Sequence, residues 1–241
     1  MPEIVYSQWL QILQSSWLMG LSIIAFVVGV TFYQRASQRA IFHPLIISTP
    51  LIALVLTQLE IDYALYYQHN GVLNWLLGPA TVALAVPLAK YLKQLREILF
   101  NVVITVIVGG LFAALCAVAI GLWLVEDSQA ILSLAAKSVT TPIAIIITQE
   151  LGGLVTVITL MVLFTGIVGI LVADNIFYYL KLEDERWQGL TLGITAHAIG
   201  TLRAFEKSPR CGAFSTIGMG LNGIWSAFFL IPLMKLVIFW Q

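Results

Sequence analysis

Long apolar runs, each ended by a short cluster of charged or turn-forming residues, repeat along the chain. Reading from one cluster to the next gives eight segments, at about 13–33, 41–58, 72–91, 98–125, 129–149, 152–180, 187–204 and 212–240. The runs are continuous and do not alternate with polar residues, so the solvent they match is lipid. A hydrocarbon core about 30 Å thick needs about 20 apolar residues per helix. The pattern therefore predicts an all-α polytopic membrane protein of about eight transmembrane segments. An outer-membrane barrel would need short alternating strands, which the sequence lacks. Short connections make residues 1–241 a single integral membrane domain with no soluble module.

Three stretches interrupt this pattern from inside a segment. Residues 78–87 place Gly78, Pro79 and Pro87 in one span. Residues 137–144 put Lys137, Ser138, Thr140, Thr141 and Pro142 near the middle of an apolar segment. Residues 195–203 run Thr195, Ala196, His197, Ala198, Ile199, Gly200, Thr201, Leu202, Arg203. Proline removes a backbone donor and breaks the helical ladder. Backbone that leaves the helix at membrane depth survives only against protein or a water-filled cavity. Transporters build midplane sites from such discontinuous helices. Kinks that merely let helices pack closely are the competing reading of each stretch. Three in one small bundle favour a cavity, and the fold is expected to hold two or three broken helices.

Composition agrees with a lipid environment: 60% of residues are hydrophobic and 10% charged, against about 25% charged in a soluble domain. Net charge is zero, so no basic surface points to nucleic acid. Cys116 lies inside an apolar run and Cys211 beside a basic cluster, with no metal-ligand spacing and no disulfide expected. The N-terminal stretch has no basic region or cleavage signature, so the first apolar run is expected to remain as a span. With the N-terminus outside, cytoplasmic loops carry Arg35, Arg39, Lys90, Lys93, Arg96, Arg203, Lys207 and Arg210, and the opposite loops only Lys181 and Arg186. Positive charge favours the cytoplasmic side, so both termini are predicted outside. One re-entrant segment would invert everything after it.

A weak internal echo accompanies the breaks. A shift of 59 residues lays GPATVALAVPLAKYL, from Gly78, over KSVTTPIAIIITQEL, from Lys137, and matches Thr81 with Thr140 and Ala85 with Ala144. Interrupted segments in corresponding halves are the trace of a duplicated transporter. The eight-span count runs both segments in the same direction, which an inverted repeat forbids.

Candidate chemistry gathers at the interruptions. Lys137 lies about eight residues into its segment, roughly 12 Å deep, where an ammonium costs about 2.5–3.5 kcal/mol on insertion scales. It either reaches the interface, pairs with a buried carboxylate such as Asp174, or binds a carboxylate substrate beside Ser138, Thr140 and Thr141. An unperturbed histidine has a pKa near neutrality, so His197 would suit proton coupling; a neutral histidine bonded to a carbonyl is the alternative. Arg203, Glu206, Lys207 and Arg210 read first as a solvated cytoplasmic cluster. The candidate substrate-binding set is Thr81, Lys137, Ser138, Thr140, Thr141, His197, Thr201, Arg203 and Asn222. The sequence contains no P-loop, GxSxG, HExxH or CxxC. No enzymatic activity, metal or cofactor is expected, and movement of a solute would be passive or driven by an ion gradient.

At the same stretches the chain resembles the LrgB/CidB family of bacterial membrane proteins. The motifs are LLGPATVALAVPL at 76–88, KSVTTPIA at 137–144, HAIGTLRAFE at 197–206 and GAFSTIGMGLNGIWSAFFLIPL at 212–233. Leu202 stands where that family usually has alanine or serine. The resemblance implies one of two roles in the bacterial inner membrane. One is an antiholin-like regulator of murein hydrolase activity and autolysis. The other is a carrier of small carboxylates, as in the relatives assigned to pyruvate in bacteria and to glycolate and glycerate in plastids. It also implies a small LrgA/CidA-type membrane partner, and distant kinship to antiporters and bile-acid symporters with crossed broken helices. A homodimer is compatible with such a bundle.

Overall fold

The computed structural model describes residues 17–83 and 85–239, and every regular element among them is helical. Packing divides the chain into two units, Met1–Ala83 and Leu84–Gln241. In the first, α1 (Trp17–Arg35) turns through Arg39 and a 3₁₀ turn (Ala40–Phe42) into α2 (Pro44–Gln58). Gly29 lets the two helices touch, because a Cβ there would lie 2.7 Å from the Pro44 carbonyl oxygen. His43 precedes Pro44 at the start of α2 and accepts a hydrogen bond from the Leu45 amide. Asp62 caps α3 (Tyr63–His69), which is followed by α4 (Gly71–Ala83). Ser22 on α1 donates to Asn70 Oδ1 at 2.7 Å and lies 2.7 Å from the Tyr66 hydroxyl. This polar glue suits helices packed in lipid.

The second unit contains α5 (Ala85–Lys90), α6 (Leu92–Leu124), α7 (Ser128–Leu134), α8 (Thr141–Glu150), α9 (Val155–Tyr179), α10 (Glu185–Lys207) and α11 (Pro209–Trp225). A π-turn (Ser226–Leu230) then leads into α12 (Ile231–Phe239). Along α6, Phe100, Phe112 and Trp123 are 77%, 69% and 82% exposed, an apolar flank that water would not tolerate.

Two of the eight predicted segments double back instead of crossing. The first is 129–149. α7 ends at Leu134, a series of turns follows, and α8 starts at Thr141. The Leu154 amide donates to Ser133 Oγ at 2.7 Å. Ser133 Oγ and Thr148 Cγ2 both lie within 2.8 Å of the point that a Cβ on Gly153 would occupy. A continuous helix would hold residues 133 and 148 about 22 Å apart. α7 and α8 are therefore the arms of a helical hairpin, with its tip at 135–140 and its base beside the N-terminus of α9.

The second is 187–204. Inside α10, His197 has φ 43° and ψ −130°, far from helical values. A Cβ on Gly200 would overlap the Leu192 carbonyl oxygen, eight residues back, and would lie 2.7 Å from Ala196 Cβ. That contact requires a reversal at His197. The arm 185–196 runs alongside α11, where glycines 189 and 193 bring its backbone against Cys211 and Ser215. The returning arm 198–207 runs antiparallel to α11, with Thr201 against Ser215 and Phe205 against Gly212. α9 frames this second hairpin. His197 meets Val162, Ala196 meets Gly169, and Arg203 and Lys207 meet Asp174. Its base therefore lies at the C-terminal end of α9, opposite the base of the first.

Five helices among the described residues are long and apolar enough to cross a membrane: Trp17–Arg35, Ala40–Gln58, Leu92–Leu124, Val155–Tyr179 and Pro209–Leu236. They match five of the eight predicted segments. The hairpins account for two more, because an arm of about ten residues spans only about 15 Å and reaches half-way through hydrocarbon. The remaining segment, 72–91, corresponds to α4 and α5; Leu84, between them, lies outside the described residues.

Candidate functional site

The hairpin tips come together at one side chain on α11. Asn222 Nδ2 donates to the Ser138 carbonyl at 3.2 Å and to the Ile194 carbonyl at 3.3 Å. Ser138 belongs to the first tip, and Ile194 lies near the end of the arm 185–196 that leads to the second. Broken helices leave orphan backbone carbonyls that need donors, and one amide satisfies one from each hairpin. Gly110 of α6 makes room for it, since a Cβ there would lie 2.5 Å from Asn222 Oδ1 and 3.3 Å from the Trp225 ring. Asn222 is 1% exposed, and its Oδ1 has no hydrogen-bond partner. The π-turn begins four residues later; such irregular turns often mark functional places in helices.

Lys137 stands at the first tip and donates through Nζ to Ser138 Oγ at 3.2 Å. Asp174 is not its partner: that carboxylate holds Arg203 at 2.9 Å and Lys207 at 2.7 Å. Thr140 caps α8 without a side-chain hydrogen bond, so the first amides of that half-helix depend on other acceptors. Thr141 opens α8, and Pro142 occupies its first turn, where no amide is needed.

His197 is buried, with Nε2 2.9 Å from the Val162 carbonyl. A carbonyl can only accept, so Nε2 carries a proton in this arrangement. The positive φ is unusual for a residue with a side chain and stores strain of about 1–3 kcal/mol, which the hydrogen bond and close packing hold in place. Thr201 Oγ1 donates to the His197 carbonyl at 2.9 Å and lies 2.9 Å from Ser215 Oγ. One hydroxyl has one proton, so Ser215 donates to Thr201. The pair closes the second reversal.

The structure thus gathers Lys137, Ser138, His197 and Asn222 around the two tips, with Thr140 and Thr141 on the adjoining turn and Thr201 buttressing the second. Arg203 belongs elsewhere. It lies six residues down the returning arm, in ion pairs with Asp174 and with Glu206 at 3.0 Å, as the cluster reading of 203–210 expects. Thr81 falls in α4, and its side chain lies outside the described residues. Sequence reasoning missed Ser215, Gly110 and the Val162 carbonyl. Only Ser215 left a sequence signal, as a hydroxyl inside an apolar span.

A sequence model of the LrgB-like family matches residues 22–236. The uncharacterized protein YwbG of Bacillus subtilis is 32% identical over 85% of this chain and 90% of its own length. A Haemophilus influenzae protein, also uncharacterized, is 30% identical over 83% of this chain and 86% of its own. The holin-like protein CidB of Staphylococcus aureus is 30% identical over 91% of this chain and 96% of its own. No solved structure matches the chain. With the match covering nearly all of the described helices, the chain belongs to the LrgB-like family of membrane proteins.

Proposed function

We propose that this protein carries small monocarboxylates of the pyruvate, glycolate and glycerate type across the bacterial inner membrane, with both termini outside. The observation that carries the reading is the meeting of two hairpin tips at Asn222 beside the Lys137 ammonium. Two half-helices, α8 and the arm 198–207, begin at these tips. Helix N-termini concentrate positive potential and free amides, and a lysine adds a full positive charge. A carboxylate is the anion such a place suits, with Ser138, Thr140 and Thr141 as hydroxyl partners. Transport would be passive or driven by an ion gradient. No reacting bond and no nucleotide are needed, so the role is not enzymatic.

Purified protein in proteoliposomes is expected to take up labelled pyruvate or glycolate above the rate of empty vesicles. Lys137→Ala is expected to lower that uptake at least tenfold at equal expression. Absence of flux for every two- and three-carbon acid tested would reject the carrier role.

The name of the CidB relative, a holin-like protein, supports a second reading, an antiholin-like regulator of murein hydrolase activity and autolysis acting with a small LrgA/CidA-type membrane protein. That role predicts co-purification with such a partner and altered autolysis on deletion, without carboxylate flux by the isolated chain. A homodimer is compatible with either role.

A further inference from the structure

The two hairpins open toward opposite ends of the second unit, and the charges at those ends differ. At the end holding the base of the second hairpin lie Lys90, Lys93, Arg96, Lys181, Arg186, Arg203, Lys207 and Arg210. Two contacts tie them to one end. Arg210 donates to Gln94 Oε1 at 3.0 Å, which joins the start of α11 to the start of α6. Asp174 joins Arg203 and Lys207 to the last turns of α9. The end holding the base of the first hairpin carries Glu126, Asp127 and Glu150, with Lys235 on the adjoining half of the last span. Of the ten lysines and arginines after residue 83, eight stand at one end, one stands toward the other, and Lys137 stands at a tip.

We infer that both hairpins are re-entrant, the first from the outer face and the second from the cytoplasmic face, and that Asn222 is the clasp where they meet between the two aqueous sides. The positive-inside bias orients the unit. Each hairpin returns to its own side, so the chain from Glu150 to Arg186 takes the opposite placement from that of an eight-span chain. Lys181 and Arg186 move to the cytoplasmic side, and the bias of the unit becomes eight to one. The inference needs no assumption about what is carried, because it rests on chain reversals and charge.

Single cysteines replacing Lys93, Glu126, Glu150 and Glu183, in a Cys116→Ala/Cys211→Ala background, test it with a membrane-impermeant maleimide on intact cells and on inverted vesicles. Should that background fail to fold, the same substitutions in the unaltered chain are read as labelling above the parent. The inference expects positions 126 and 150 to label from outside, and 93 and 183 only from the cytoplasmic side, each with at least a fivefold preference. Labelling of 150 from the cytoplasm and 183 from outside would show two full crossings and overturn it. Labelling of 126 and 150 only from the cytoplasm would overturn the assigned orientation.

Discussion

Asn222 holds Ser138: the amide of one donates to the backbone carbonyl of the other at 3.2 Å across 84 residues of sequence, and the same nitrogen reaches Ile194. This single side chain joins two hairpins that approach from opposite ends of α9. Removing it leaves two buried carbonyls without that donor, at about 1–3 kcal/mol for each unsatisfied group. Asn222→Ala is therefore expected to lower the unfolding midpoint in detergent and to reduce carboxylate uptake at least tenfold. An unchanged midpoint would remove the clasp.

His197 tests the reversal itself. Glycine relieves the strain of φ 43°, while alanine keeps it and loses the hydrogen bond to Val162. His197→Gly should melt closer to the parent than His197→Ala, by about 1 kcal/mol or more. Calorimetry or a dye-based melt that ranks the two the other way would argue for a continuous helix.

Close packing of α10 on α11 makes a second contrast. A Cβ on Gly193 would overlap the Ser215 carbonyl and lie 2.8 Å from the Met219 amide, both unyielding backbone, whereas Gly220 has nothing within 4 Å. Gly193→Ala is expected to cost about 3 kcal/mol or more. Gly220→Ala should be neutral or stabilising by about 0.5–1 kcal/mol. Folded yield and melting temperature measure both.

Asp184 caps the start of α10 and pairs with Arg186. The Arg186 side chain, hydrogen-bonded to Asp184, holds that carboxyl below the usual carboxylate range. A depressed folded value means stability that is present above the ordinary carboxylate range and lost as pH falls through the lowered value. Asp184→Ala should therefore cost about 1 kcal/mol at neutral pH and progressively less as pH falls below the usual carboxylate range, where the parent loses the contribution too. A pH series of melts for the two proteins checks this.

The sequence made the breaks legible but not their consequence. Lys137, Pro142 and the small residues around His197 mark places where a helix in lipid cannot continue, and both fall at reversals. Hydropathy, however, scores two ten-residue arms the same as one twenty-residue crossing, so 129–149 and 187–204 read as spans. What distinguishes them is long-range geometry: Ser133 against Leu154, and Gly200 against Leu192. The clasp was visible only as Asn222, a polar residue in an apolar run; its backbone partners carry no side-chain signal. Arg203 was drawn toward the site by its nearness in sequence to His197, whereas one and a half helical turns move it to Asp174.

Both tips exist only if the two segments fold back. Spin labels at residues 128 and 150, and in a second sample at 185 and 206, report this directly through their separation in reconstituted membranes. Hairpins predict backbone separations near the helix-packing distance of about 8–10 Å, before the length of the labels. Separations of about 32–33 Å, those of uninterrupted helices, would contradict it.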